Sequence, residues 1–210
     1  MVTRVDTLLH PVEVRVLGAL IEKDITTPEY YPLTVNSLQN ACNQKSSRDP
    51  VVQFDEQIVE QALETLKNKH LVVRISGAGH RVEKWAHRLG EMLNLGRREM
   101  ALLCVLMLRG PQTVGELRGR TERMHDFNDL EEVERVLETL EKREDPLVAR
   151  ASRGRWAQLL GGAMEVEDSQ PVAVVRMPGD PRIEARLEAL EHDLQRLKEQ
   201  LHEKLGERFE

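Results

Sequence analysis

A mainly α-helical α+β fold with small β-hairpins, written twice and followed by a lone helix, is what this sequence predicts. Three observations predict it. Residues 55–66 read DEQIVEQALETL, and residues 129–140 read DLEEVERVLETL. Each stretch is followed by a short apolar-basic segment, Leu71-Val72-Val73-Arg74 and Leu147-Val148-Ala149-Arg150, and then by a Trp-Ala pair, Trp85-Ala86 and Trp156-Ala157. Upstream, residues 32–38 (PLTVNSL) answer residues 111–117 (PQTVGEL). Internal repetition of this kind decides architecture before any residue is given a role.

The elements follow in order. Pro11 suits the first turn of a helix running to about Glu22, because its missing amide hydrogen has no intrahelical partner there. Val12, Val16, Leu17, Leu20 and Ile21 fall on one face at helical spacing, and Leu102, Leu103, Leu106 and Met107 repeat that face in the second copy. Thr34 and Thr113 read as N-caps of short second helices, with Val35, Leu38, Val114 and Leu117 inward. Asp55 caps a third helix whose inward stripe is Ile58, Val59, Ala62, Leu63 and Leu66; its counterpart is Val133, Val136, Leu137 and Leu140. Hairpins follow at residues 71–86, turning through Gly77-Ala78-Gly79, and at residues 147–159, turning near Ser152-Arg153-Gly154. Three helices and a β-hairpin are the plan of a winged helix-turn-helix domain. The sequence therefore divides into a first winged-helix domain at 1–90, a second at 91–161, a flexible linker at 162–180 and a C-terminal helix at 181–210. An edge strand at Val172 to Val175 is an option inside that linker.

The copies differ mainly in a longer connector at Lys23 to Leu33. Between them, Leu89, Met92, Leu93 and Leu95 are too apolar for a flexible linker, so the two domains are expected to pack together. In the C-terminal helix, Ile183, Leu187, Leu190, Leu194, Leu197 and Leu201 form a heptad seam. It predicts a coiled-coil homodimer, with a helix folded back on its own chain as the alternative; flanking charges leave the orientation open.

The charged fraction of 31% and hydrophobic fraction of 40% suit a helix-rich globular protein. The longest apolar run, Met100 to Leu108, falls far short of the about 20 residues that span a bilayer, so no membrane association is expected. Met1 to Leu9 has no apolar leader core, and a cytoplasmic location follows as the expectation. Two cysteines make no disulfide framework. Cys104 is expected in the core, and Cys42, near a helix end, is expected to be partly exposed.

No enzyme signature is present: there is no Walker phosphate loop, nucleophile elbow, HExxH or paired CxxC. Gly77-Ala78-Gly79 lacks the third glycine of a dinucleotide fingerprint and joins strands instead of opening a helix. The seven histidines share no metal-ligand spacing. No catalytic residue, metal or cofactor is assigned.

Net charge is −6, which argues against a generic nucleic-acid binder. Cations and carboxylates balance over residues 1–90, and carboxylates lead beyond that. Any basic surface must be local. One candidate is the first connector, where Lys45, Ser46, Ser47 and Arg48 could hold phosphate oxygens, or else brace the junction between domains. The second copy offers Arg118, Arg120 and Arg123. The wings offer Arg81 and, most densely, Arg150, Arg153 and Arg155. Against DNA reading stands the third helix, which enters the major groove in helix-turn-helix readers. Its outward face carries Glu56, Gln57, Glu60, Gln61 and Glu64 in one copy, and Glu131, Glu134, Arg135 and Glu138 in the other. Aromatics at 3% supply no stacking platform for single strands.

The stretch HPVEVRVLGALIEKDITTPEYYPLTVNSLQNACNQKSSRDPV, with RGRTERM later, resembles the YceH-like family of bacterial proteins across about residues 7–161. The resemblance implies a tandem winged-helix fold and carries no catalytic or binding residue with it. A looser similarity of plan and charge is to the tandem winged-helix subunit of bacterial condensin, an acidic adaptor. Two functions follow as expectations. One is a non-enzymatic regulator that contacts double-stranded DNA through basic wings and connectors. The other is a protein–protein adaptor.

Overall fold

The computed structural model describes residues 8–75, 82–162 and Arg196. The turn at Gly77-Ala78-Gly79, Arg81, the linker with Val172 to Val175 and the heptad seam lie outside the described residues. The fold is mixed α+β, with small antiparallel sheets. The first half runs α1 (Pro11–Thr26), α2 (Val35–Cys42), α3 (Glu56–Asn68), β1 (Val72–Ile75) and β2 (Lys84–His87). A short α4 (Leu89–Leu93) leads to the second half: α5 (Arg97–Arg109), β3 (Gln112–Thr113), α6 (Val114–Thr121), α7 (Leu130–Glu141), β4 (Val148–Ala151) and β5 (Arg155–Gln158).

Helix starts follow side-chain chemistry. Thr34, Asp55, Thr113 and Asp129 each accept a backbone N–H from the first turn of α2, α3, α6 and α7, meeting donors that have no intrahelical acceptor. His10 begins α1 with a reciprocal cap. Its ring accepts from Val12 N–H, while its own N–H donates 2.6 Å to the Glu13 carboxylate. The helix then continues past Glu22 to Thr26.

The sheets repeat one device. Trp85 of β2 pairs with Arg74 on one side and bridges Leu33 on the other. Trp156 of β5 pairs with Arg150 and with Gln112 of β3, in the order β3-β5-β4. In both halves the residue before the capping threonine closes the sheet, and both tryptophans are buried. In the first half, the inserted connector is tied down where His87 N–H donates 2.6 Å to the Tyr31 hydroxyl.

The halves pack through α1 and α5. Every residue from Val12 to Ile21 and from Met100 to Leu108 is buried, because each helix serves its own half on one side and the other half on the opposite side. The two helices approach at Gly18. A Cβ there would lie 3.0 Å from Leu108 Cδ2 and 3.1 Å from Met107 Cβ. The Cys104 thiol donates to Gly18 O at 3.4 Å. Two backbone bonds stitch the same junction, Leu9 N–H to Leu160 O at 2.7 Å and Asp49 N–H to Leu108 O at 2.9 Å. Leu89 and Leu93 are buried in α4, which accounts for the apolar character of that link. Both cysteines are fully buried, which corrects the expectation of a partly exposed Cys42. Burial pushes the Cys42 thiol up to about 12, opposed by the Arg15 and Arg48 charges. Among the described residues no helix is long and apolar enough to cross a membrane.

Substituting Gly18→Val should cost about 1–3 kcal/mol through overpacking, read as a lower urea midpoint. Gly119→Ala, in a helix with nothing within 4 Å of the new Cβ, should instead raise stability by about 0.5–1 kcal/mol.

Candidate nucleic-acid interface

The first connector, between α2 and α3, is held from inside. Asn43 brackets Phe54, donating to its carbonyl at 2.7 Å and accepting its N–H at 2.8 Å. Arg15 reaches out of α1 to Pro50 O at 2.6 Å and to Cys42 O at 3.3 Å. Arg48 turns inward. Its guanidinium grips both Glu22 carboxylate oxygens at 3.1 and 2.6 Å and donates to Ala41 O, Ser47 O and Gln44 Oε1. The Arg48 side chain is 0% exposed.

Arg48 is therefore withdrawn as a surface phosphate ligand. A buried, bidentate arginine with its donors engaged has nothing left to offer a nucleic acid. Arg48 instead ties α1 to its own connector, within the first half. Burial alone raises the Glu22 carboxyl, and hydrogen bonding to Arg48 with its charge more than offsets this, so the net shift is downward. Lys45, Ser46 and Ser47 are exposed, with Ser47 at a φ of 59° that turns the chain outward.

In the second half, Arg118 spans the loop after α6, donating to Phe127 O at 3.2 Å and Asn128 O at 3.0 Å. Arg120 lies 3.5 Å from Glu116. That carboxylate already caps α6 through Thr113 N–H and accepts from Arg155 at 2.8 Å. The Glu116 carboxyl is held below its ordinary value, chiefly by the Thr113 N–H. Arg155 also donates to Pro111 O at 3.0 Å and so ties its hairpin to the start of α6. Arg150 lies over the face of Trp156 at 4.5 Å, with Glu138 at 3.8 Å, and its side chain is 58% exposed. Arg153 is exposed in the turn between β4 and β5, in left-handed backbone at φ 57°.

Segments far apart in sequence meet. Ser47 from the first connector, Arg120 from the last turn of α6 and Arg123 just beyond it line one cleft. A residue missed by sequence reading, Arg109 at the end of α5, lines it too. Only its position as a lone cation closing an apolar helix could have marked it, and that position usually signals complementation of the helix dipole. Partial burial lowers the Arg109 pKa, followed by the neighbouring charges of Arg120 and Arg48. The exposed faces of α3 and α7 carry Glu56, Glu60 and Glu64, and Glu131 and Glu134. Among the described residues no group of three or more His, Cys, Asp or Glu side chains could hold a metal ion.

A family described as "Protein of unknown function, DUF480" matches residues 9–155. The chain belongs to this family. It is 52% identical over 198 residues to a UPF0502 protein of Solibacter usitatus, covering 92% of this chain and 94% of that one. It is 51% identical over 195 residues to a UPF0502 protein of Geotalea daltonii, covering 89% and 87%. A third relative, a UPF0502 protein of Opitutus terrae, is 52% identical over 171 residues, covering 78% and 74%. The membership agrees with the YceH-like resemblance of the sequence.

Arg48→Met should cost about 3 kcal/mol, as expected when a buried ion pair loses one partner, measured by urea titration near neutral pH. Because the Glu22 carboxyl is depressed in the folded state, the stability it contributes is present above its ordinary value of 4.5 and is lost as pH falls through its lower folded value. The gap between wild type and Arg48→Met should therefore narrow below that pH. A gap that stays constant would separate the Arg48 brace from the Glu22 charge.

Proposed function

We propose that the protein is a non-enzymatic DNA-binding or regulatory protein built from two tandem winged-helix domains. It contacts duplex phosphates through the second wing and the connectors. The observation that supports this is the distribution of outward charge. Exposed cations sit on the β4–β5 hairpin, at Arg150 and Arg153, on the first connector, at Lys45, and in the last turn of α6 and just beyond it, at Arg118, Arg120 and Arg123. Exposed carboxylates sit on α3 and α7, the helices that would otherwise enter the major groove. Arg150 is suited to phosphate because the Trp156 ring supports one face of its guanidinium and its side chain is largely exposed, with Glu138 at 3.8 Å on one edge. Phosphate contacts without base contacts position a protein on DNA and discriminate sequence weakly.

The acidic faces of α3 and α7 favour a second reading, a protein–protein adaptor that presents those helices to a basic partner. A homodimer formed through the heptad seam at Ile183, Leu187, Leu190, Leu194, Leu197 and Leu201 fits either reading.

Anisotropy of a labelled duplex at rising salt should give a log-log slope near −0.9 per phosphate neutralised. The double reversal Arg150→Glu with Arg153→Glu should weaken binding about tenfold or more at low salt, since each reversal removes an attraction and adds a repulsion. Absence of binding by the wild type at low salt would remove the DNA reading and leave the adaptor. For the dimer, truncation after Pro178 should halve the mass measured in solution by light scattering; an unchanged mass would remove the seam as its cause.

A further inference from the structure

The cleft lined by Ser47, Arg109, Arg120 and Arg123 is small. It encloses about 50 Å³, room for a group of a few atoms and no more. Its cations come from the second half: Arg109 ends α5, Arg120 lies in the last turn of α6 and Arg123 just beyond it. Its hydroxyl comes from the first half. Ser47 is exposed, and among the described residues its Oγ makes no hydrogen bond. The backbone around that hydroxyl is tied down. The Arg48 guanidinium donates to Ser47 O at 2.9 Å while it grips Glu22, and Asp49 N–H donates 2.9 Å to Leu108 O, next to Arg109.

Carboxylates also stand near these cations. Asp49 and Glu122 are exposed, Glu116 lies 3.5 Å from Arg120, and Glu22 lines the cleft in the grip of Arg48. Their combined effect is legible at Arg109. Burial lowers its pKa first, then the charges of Arg120 and Arg48, and these outweigh the weaker opposing pulls of Glu22 and Asp49. The surroundings of Arg109 therefore stay cationic with Asp49 counted. Among the described residues, neither the Arg109 nor the Arg123 side chain makes a hydrogen bond or ion pair.

We infer that Ser47 is a phosphorylation site whose phosphate is received by Arg109, Arg120 and Arg123. The co-reactants are a nucleoside triphosphate and a protein serine kinase, which reaches the exposed stretch Lys45-Ser46-Ser47. Ser47 Oγ attacks the γ-phosphorus. The Oγ–P bond forms as the bond from that phosphorus to its β-bridging oxygen breaks. The hydroxyl proton passes to the kinase's base, and nucleoside diphosphate leaves. The product carries about −1.5 to −2 charges at neutral pH and three acceptor oxygens. Forked guanidinium donors match such oxygens, and a single phosphate is of a size with the cleft. Asp49 opposes the new charge, but one carboxylate faces three cations. The modification ties the first connector to α5 and α6 across the two halves. Ser46, equally exposed, does not line the cleft and gains no such tie. The site does not rest on the duplex reading; where a duplex is bound, a phosphate on Ser47 competes with it for Arg120 and Arg123.

The test has two arms, both on the full chain. Incubated with an extract of its source cells and a γ-labelled nucleoside triphosphate, the chain should take label at Ser47, located by mass spectrometry of its peptides. Ser47→Gly, which keeps the positive φ without strain, should lose that label, and Ser46→Ala should keep it. Chains phosphorylated at Ser47 or at Ser46 by encoded incorporation are then titrated by phosphorus NMR. The second pKa of the Ser47 phosphate should fall about one unit below its ordinary value near 6, because neighbouring cations favour the dianion. The Ser46 phosphate should stay at the ordinary value. Arg109→Gln with Arg123→Gln should remove most of the Ser47 shift; if that pair unfolds, the exposed single change Arg120→Gln should remove part of it. Absence of label at Ser47 overturns the modification site. A Ser47 phosphate that titrates like the Ser46 phosphate, or that ignores the arginine substitutions, overturns the cleft as its receptor.

Discussion

The α1–α5 seam is the constraint from which the rest of the molecule follows. Two halves of this length have little interior of their own, and sharing one apolar layer gives both a core. Sharing requires that α1 and α5 be buried on nearly every face, which the unbroken burial from Val12 to Ile21 and from Met100 to Leu108 satisfies. It also requires close approach, which Gly18 permits. The consequence is that polar residues of α1 are caught inside. Glu13 is met by Lys69 at 2.7 Å, Arg15 by backbone carbonyls, and Glu22 by Arg48. Each compensation recruits a group from a connector or helix end, so the seam dictates where the loops lie.

That dependence explains what could be read from the sequence and what could not. The caps at Thr34, Asp55 and Thr113 are local, formed by a side chain and the amides of the next turn, and they stand where the sequence pattern puts them. The stripes of α3 and α7 are equally local in period. The boundaries of α1 and the brief α4 were less visible, because the turns at Lys23 to Thr26 and Leu89 to Leu93 are held by surroundings and carry no strong signal of their own. Arg48 and Cys42 illustrate the larger limit. In sequence they sit in a polar loop and at a helix end, with every mark of exposure. What buries them is α1, whose Glu22 and Arg15 lie 26 and 27 residues earlier. No window along the chain contains both partners. Arg109 and the cleft it helps to line depend on the same long-range meeting of connectors.

The same geometry settles how net charge should be weighed. A total of −6 argues against phosphate binding only if charge is spread evenly, and it is not. At physiological ionic strength the Debye length is about 8 Å, so what an incoming phosphate senses is the local set. Glu22 and Glu116, two carboxylates near the cleft cations, have partners inside the fold, while the exposed Asp49 carboxylate still acts on Arg109. Many exposed carboxylates lie on α3 and α7, and others, Asp49, Glu122 and Asp126 among them, lie on the loops beside the cations. Folding has therefore sorted the charges only in part. A substitution that frees Glu22 from Arg48 would thus do more than weaken the seam: it would put a carboxylate back into the cleft and lower its positive potential without touching any of the three arginines that line it.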